Sequence, residues 1–232
     1  MPEPRPASDL HITPSEDLRR FDSGGGRYVH EAEAAMVRDL FAAAALPASS
    51  VVLDCPTGTG RFIGLLHRMG FVVWALDGSA AMLEAAKQFG ADRYLHRAAE
   101  AMSLPDACVD AVLMHRFLCY FKDPQPFLTE AARVLRPGGV LLVDACGWTP
   151  RAWVPDDRSW LGGRVHVHTP EEVLGWTTTL GLELERREPL FLLTPSAYGF
   201  LPDVVSRGVE WLGDKIAPQR KTKTYFLLRK PA

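Results

Sequence analysis

Residues 51–62 read VVLDCPTGTGRF, from Val51 to Phe62. Val51, Val52 and Leu53 make a short apolar, β-branched run, the composition of a strand buried on both faces. Asp54 closes it. Pro56, Gly58 and Gly60 then force a tight bend without bulky side chains. Such a turn brings backbone N–H groups and a helix N-terminus close to a ligand. A second apolar run, Phe71 to Leu76, ends in another acid, Asp77, 23 positions beyond Asp54. An α/β nucleotide site places a carboxylate on a ribose at about this distance, roughly 20 residues.

Outward from this stretch the pattern alternates. Strand-like runs occupy 51–55, 71–77, 93–97, 109–115 and 139–146, and helix-like runs occupy 61–69, 79–89, 124–136 and 170–180. Ser79 is an N-cap candidate with Met82, Leu83 and Ala86 as the apolar stripe behind it. Pro137-Gly138-Gly139 is expected to stop the fourth helix and turn the chain into Val140–Val143. Alternation of this kind predicts an α/β fold, a parallel sheet wrapped by helices. Before it, residues 28–45 are alanine-rich and helical in period, and residues 1–20 read as an arm or partial cover. After it, 182–194 and 224–229 read as strands around a weak helix near 202–213. The segment between the fifth strand and Thr169 holds Trp148, Trp153 and Trp160 with no clear period, and reads as a lid or substrate loop.

Hydrophobic residues make up 47% of the 232, enough for a full core, and the formal net charge of −2 supplies no attraction to nucleic acid. No apolar run approaches the roughly 20 residues that span a bilayer. MPEPRPASDL lacks the apolar region of a signal peptide. Cys55, Cys108, Cys119 and Cys146 show neither CxxC nor a His-paired zinc spacing, so no metal site is expected and a reducing cytoplasm is the simplest home. The sequence is silent on oligomeric state.

The glycine turn also excludes ligands. A dinucleotide turn, GxGxxG, begun at Gly58 needs a third glycine where Ile63 stands. A P-loop needs a lysine after its last glycine, and none follows Gly60.

Taken together, VLDCPTGTGRF, ALDGSAAML, AAEAMSLPDACVDAVLMHR and EAARVLRPGGVLLVD resemble the successive motifs of the class I S-adenosylmethionine-dependent methyltransferases. The likeness is to the small-molecule branch that includes ubiquinone and menaquinone methyltransferase-like proteins. It covers roughly residues 20–185, and Tyr225–Lys230 is similar to the family's last strand. The resemblance implies a Rossmann-like, doubly wound, seven-stranded sheet, mostly parallel with an antiparallel last strand. It also implies an arm and cover helix over 1–45 and a methyltransferase domain over 46–232, with lid-like insertions at about 147–168 and 194–221. The implied cofactor is S-adenosyl-L-methionine, held by Tyr28, Asp54, Pro56, Thr57, Gly58, Gly60, Asp77, Gly78, Met82, Ala98, Ala99, Glu100 and His115. Pro56 and Ala98 depart from the pattern, standing where relatives commonly have a glycine and an aspartate.

The residue chemistry agrees with that implication. This cofactor has no phosphate, so the turn needs no lysine, and Asp77 can accept hydrogen bonds from two ribose hydroxyls. Asp54 under the turn favours the methionine ammonium, or serves simply as a turn-forming residue. Methyl transfer needs alignment and a dry pocket, and a base only where the acceptor must lose a proton. His115 is the candidate base, with packing over the cofactor as its alternative. Arg116, Tyr120, Trp148, Trp153 and Tyr198 are candidate contacts for a small-molecule acceptor, Arg27 and Tyr28 are candidates to close over the cofactor after the Gly24-Gly25-Gly26 hinge, and the tryptophans alternatively pack an added layer. The expected activity is methylation of an O, N or C atom of a small organic molecule. The alternatives are a non-catalytic cofactor-binding module and an RNA or protein methyltransferase. The last is disfavoured because MHRF stands where an N/DPPY-type tetrapeptide would follow the fourth strand.

Overall fold

A computed structural model describes residues 13–19, 24–153, 165–217 and 220–232. Trp160 lies outside them. Seven strands form one sheet in the order β3-β2-β1-β4-β5-β7-β6. They are β1 (Val51–Asp54), β2 (Val72–Asp77), β3 (Arg93–His96), β4 (Val109–Met114), β5 (Leu135–Cys146), β6 (Glu183–Leu190) and β7 (Lys223–Arg229). β7 runs antiparallel to both neighbours, and every other pair is parallel. The expected seven-stranded, doubly wound sheet with an antiparallel last strand is the one observed.

Eight helices accompany it among the described residues: α1 (Pro14–Arg19), α2 (Gly24–Ala43), α3 (Ile63–Arg68), α4 (Ala80–Ala86), α5 (Gln125–Val134), α6 (Pro170–Thr179), α7 (Pro195–Tyr198) and α8 (Asp203–Ile216). Val37, Leu40 and Phe41 of α2, Ile63 and Leu66 of α3, and Leu83 and Ala86 of α4 pack with Val52, Val73 and Leu142 on one sheet face. Phe127, Leu128 and Ala131 of α5 and Val173 of α6 pack with Leu53, Val112 and Leu141 on the other. Burying a side chain of this size contributes about 1.5–3 kcal/mol. The central strands are therefore apolar throughout, as a sheet covered on both faces requires.

Three boundaries differ from the sequence reading. Helix α2 starts at Gly24, before the expected Tyr28, so the three glycines form its first turn rather than a hinge. A Cβ on Gly25 would lie 1.7 Å from the Tyr198 carbonyl oxygen. Glycine there lets α2 and α7 approach backbone to backbone, which offsets its poor helix propensity. Helix α5 ends at Val134 and β5 begins at Leu135, ahead of the PGG turn. Residues preceding a proline are driven out of the helical region, and Leu135 pairs with Val109. Strand β6 stops at Leu190, short of Thr194, because Phe191 has a φ of 66° and Pro195 opens α7.

No helix among the described residues is long and apolar enough to cross a membrane.

Candidate functional site

The sheet order reverses between β1 and β4, and in open α/β sheets ligands bind outside the carboxyl ends of the strands at such a point. The glycine turn lies there, tied to both neighbouring strands. The Cys55 N–H donates to the Leu113 carbonyl of β4 (2.9 Å), and the Thr57 N–H donates to the Leu76 carbonyl of β2 (2.8 Å). Gly58 has a φ of 56°, and its N–H donates to Asp77 Oδ2 at 2.8 Å. The Ser79 N–H donates to Asp77 Oδ1, also at 2.8 Å, and Ser79 caps α4 by accepting from the Met82 N–H. Asp77 thus holds the turn and the helix start on separate oxygens, and each oxygen keeps a second lone pair. On the other side, the Thr57 hydroxyl donates to Asp54 Oδ2 at 2.7 Å.

These groups line a cavity of about 400 Å³. Of the residues expected at a site, Asp54, Pro56, Thr57, Gly58, Asp77, Gly78, Met82, Ala99, His115, Arg116 and Tyr120 line it. Gly60 supports from behind: its φ is 86°, and a Cβ there would lie 2.8 Å from Ile63 Cδ1. Ala98 and Glu100 stand beside Ala99 without lining the cavity, and Ala98 forms a backbone bridge with Ala101. Tyr28 and Tyr198 lie elsewhere, buried against each other and Phe191, with centroids 5.4 Å apart. Trp148 and Trp153 stack edge to face on the surface, 49% and 75% exposed.

The lining also takes in residues that the sequence reading did not assign to the site. Thr13, Pro14 and Asp17 come from α1 and its approach, and Asp17 Oδ2 accepts the Thr59 hydroxyl at 2.7 Å. Arg61, Phe62, Ser79, Ala81 and Phe117 complete it. Asp17, Asp54 and Asp77 put three carboxylates around the glycine turn. Burial raises the Asp77 carboxyl against the two N–H groups it accepts. Burial, with Asp77 adding and the Thr57 hydroxyl opposing, pushes Asp54 up to about 7.

At the other end, Arg61, His115 and Arg116 meet a buried ionic cluster that no motif announced. Glu33 of α2, fully buried, accepts from Lys223 of β7 (2.8 Å) and Arg61 (2.9 Å), and lies 3.8 Å from Arg116. Asp144 of β5 lies 3.1 Å from Lys223 and accepts the Arg116 N–H at 2.6 Å. Burial opposes ionisation of Glu33, but the permanent cations Lys223, Arg116 and Arg61 outweigh it and hold its carboxyl well below the usual range. His115 Nε2 lies 2.9 Å from the Tyr225 hydroxyl and 3.3 Å from the Lys223 ammonium. An ammonium only donates, so that nitrogen is the ring's acceptor. Burial and then Lys223 hold the imidazole well below its ordinary pKa, so it stays neutral. One signal was readable: Glu33 falls on the apolar stripe of Val29, Val37, Leu40 and Phe41, and an acid on a core-facing stripe needs a buried partner.

Residues 53–143 match the family model described as "Methyltransferase domain". Over 101 residues the chain is 41% identical to the malonyl-[acyl-carrier protein] O-methyltransferase of Pectobacterium atrosepticum, a match covering 42% of this chain and 40% of that one. Over 100 residues it is 37% identical to the demethylmenaquinone methyltransferase of Tropheryma whipplei, covering 41% of each. The matches therefore span about two fifths of those relatives. A Thermotoga maritima structure titled as a SAM-dependent methyltransferase, possible histamine N-methyltransferase, shares the fold with a TM-score of 0.67 at 22% identity, over 93% of this chain and 95% of that one. Residues 53–143 thus carry a methyltransferase domain, set within a fold shared with that solved structure.

Proposed function

We propose that this chain binds S-adenosylmethionine in the cavity at the ends of β1, β2 and β4 and catalyses methyl transfer to an O, N or C atom of a small organic acceptor. The observation that carries the reading is the set of acids around the glycine turn. Among the described residues lining the cavity there is no lysine, and Asp17, Asp54 and Asp77 stand where a phosphate-binding turn would offer donors. Phosphates are repelled there, whereas ribose hydroxyls and an ammonium are attracted. The residues present therefore fit this phosphate-free cofactor.

In this reading Asp77 accepts from the ribose hydroxyls with the lone pairs left by Gly58 and Ser79. Met82 and Ala99 flank the adenine, and Asp54 faces the ammonium. The bound cofactor supplies a methyl group made electrophilic by a positively charged sulfur. The protein contributes alignment and a pocket that excludes water. Phe62, Phe117 and Tyr120 wall the acceptor side, and Arg116 contacts the acceptor. His115 serves as neutral packing rather than as a base, because its acceptor nitrogen is already engaged. Among the described residues, α1 and α2 act as arm and cover helix and the sheet with its remaining helices forms the catalytic domain; much of the expected arm at 1–20 and of the expected lid at about 147–168 lies outside those residues.

The similar enzymes act, by their names, on a malonyl group carried by acyl carrier protein and on demethylmenaquinone, which supports an organic acceptor. The net charge of −2 favours such an acceptor over nucleic acid, and the free cysteines suit the cytoplasm. Calorimetric titration with S-adenosylmethionine tests the binding half of the reading, and release of labelled methyl across an acceptor panel tests the catalytic half. No binding, or binding without transfer to any acceptor, would sink the corresponding half.

A further inference from the structure

Helix α8, DVVSRGVEWLGDKI over Asp203–Ile216, turns its apolar side outward. The residues it buries against the fold are Ser206, Glu210 and Gly213. Glu210 explains the polar inner face: it accepts from the Leu192 N–H at 2.5 Å, from Lys221 at 2.8 Å and from the Tyr198 hydroxyl. Gly213 lets the helix sit close to Leu192, whose Cδ2 is 2.8 Å from where a Cβ would stand. The outer face carries Val204, Val205, Trp211, Leu212 and Ile216, and Phe200 precedes it. At about 100° per residue these helical positions fall within an arc of about 140°.

Surface helices normally turn such a stripe to the core. Here Phe200 is 90% exposed, Val204 81%, Ile216 70% and Trp211 61%, with Val205 and Leu212 about half exposed. Counting about 60–120 Å² for an aliphatic side chain and about 150–250 Å² for an aromatic one, the six leave on the order of 600 Å² of apolar surface in water. That is the upper end of what a monomer shows in its largest patch, about 300–600 Å². A standard interface takes about 800 Å² from each partner, and homodimer interfaces are about 65% apolar, so each copy must supply about 500 Å² of such surface. The α8 face is large enough to supply it alone.

We infer that α8 is an interface for a second copy of this chain, the two helices crossing antiparallel at Gly208 in a two-fold dimer. Shape supports the choice of partner. Gly208 lies within the apolar arc, and a Cβ there would meet nothing within 4 Å. It leaves a dip midway between Val204 and Leu212, four positions away on either side, so one patch carries both knob and hole. An isologous contact requires this self-complementarity. At the crossing, Val204 of each copy meets Leu212 of the other.

Charge agrees. The flanking ions are paired within each copy: Arg207 with Asp203 at 3.0 Å and Glu31 at 2.6 Å, and Lys221 with Asp214 at 2.5 Å. Lys215, in the last turn, lays its ammonium over the Trp211 ring, 3.9 Å from the centroid, and its long stem lets the charge leave past the helix end. A bilayer fits this face less well. Helices that lie on an anionic membrane carry an excess of Lys and Arg, whereas on α8 Asp203, Glu210 and Asp214 outnumber Arg207 and Lys215.

Sedimentation velocity of the full chain tests the inference, at concentrations from about 1 to 100 µM, where a standard interface associates. A dimer is expected. Val204→Glu and Leu212→Lys, both at exposed positions, should each weaken the dimer on the order of a hundredfold, because each would bury an unpaired charge in both halves of the interface. Mixed in equal amounts, the two variants should recover a dimer, since the new carboxylate of one meets the new ammonium of the other. That recovery also shows that each variant is folded. A monomer throughout the range would overturn the inference, as would a dimer unchanged by Val204→Glu or two variants that stay monomeric when mixed. Monomer that co-sediments with phosphatidylcholine–phosphatidylglycerol vesicles, and loses them in Val204→Glu, would assign the face to a bilayer instead.

Discussion

Glu33 and Lys223, 190 residues apart in sequence, meet at 2.8 Å with both side chains buried. The contact joins α2 to the first residue of β7, so the cover helix and the antiparallel strand are locked by charge as well as by packing. Removing one member of a buried pair strands the other, which costs about 3–5 kcal/mol. Glu33→Gln and Lys223→Met should each destabilise on that scale, and the double variant should cost less than their sum by about 0.5–3 kcal/mol. Urea unfolding of the four proteins measures this, and simple additivity would show that the pair is not coupled. The pH dependence has a definite sign. The folded Glu33 carboxyl is held well below its ordinary value of 4.5, so its contribution is complete above that value and fades as pH falls below it.

Asp77 joins the glycine turn to α4 through Gly58 and Ser79, and its remaining lone pairs are assigned to the ribose. Asp77→Ala should weaken cofactor binding by about 1–3 kcal/mol, the loss of charge-assisted hydrogen bonds. Asp77→Asn should not restore the affinity, because its amide nitrogen, which only donates, would face the N–H of Gly58 or Ser79. Titration calorimetry decides it: an unchanged Kd in Asp77→Ala would end the ribose assignment.

Local chemistry explains what could be read in the sequence. The strand–acid–glycine pattern of 51–62 and the acid at Asp77 are contiguous, so the cofactor end of the cavity was accessible from short motifs. The acceptor end is assembled from Glu33, Arg61, Arg116, Asp144 and Lys223, which lie far apart in the chain, and no spacing rule links them. Tyr28 and Tyr198 were misplaced for a related reason. Aromatic residues in variable segments suit a cap over substrate, but these two meet across α2 and α7 because Gly25 allows the helices to close.

Gly60 carries a further prediction. Its φ of 86° is unfavourable for any side chain, and a Cβ would lie 2.8 Å from Ile63 Cδ1, 3.0 Å from Ala86 Cβ and 3.0 Å from Phe89 Cδ2. Gly60→Ala should therefore destabilise by about 1–3 kcal/mol, combining backbone strain with overpacking. Thermal unfolding measures it, and a wild-type Tm would mean that the turn relaxes freely.

Asp54 ties the proposed cofactor to pH. Its carboxyl titrates at about 7 because burial, and then Asp77, favour the neutral form against the Thr57 hydroxyl. In the free protein below that pH the group holds a proton. An ammonium beside it favours the carboxylate, so binding releases the proton and affinity rises with pH up to about 7. Above that the gain levels off, and it reverses as the cofactor's own α-amino group, ordinarily about 7.7–8.0, loses its charge. Calorimetry at pH 6.5 in two buffers of different ionisation enthalpy should register proton release, and Asp54→Asn should abolish it. Equal heats in both buffers for the unaltered protein would show that Asp54 does not face the ammonium, and the assignment of that end of the cavity would have to be reversed.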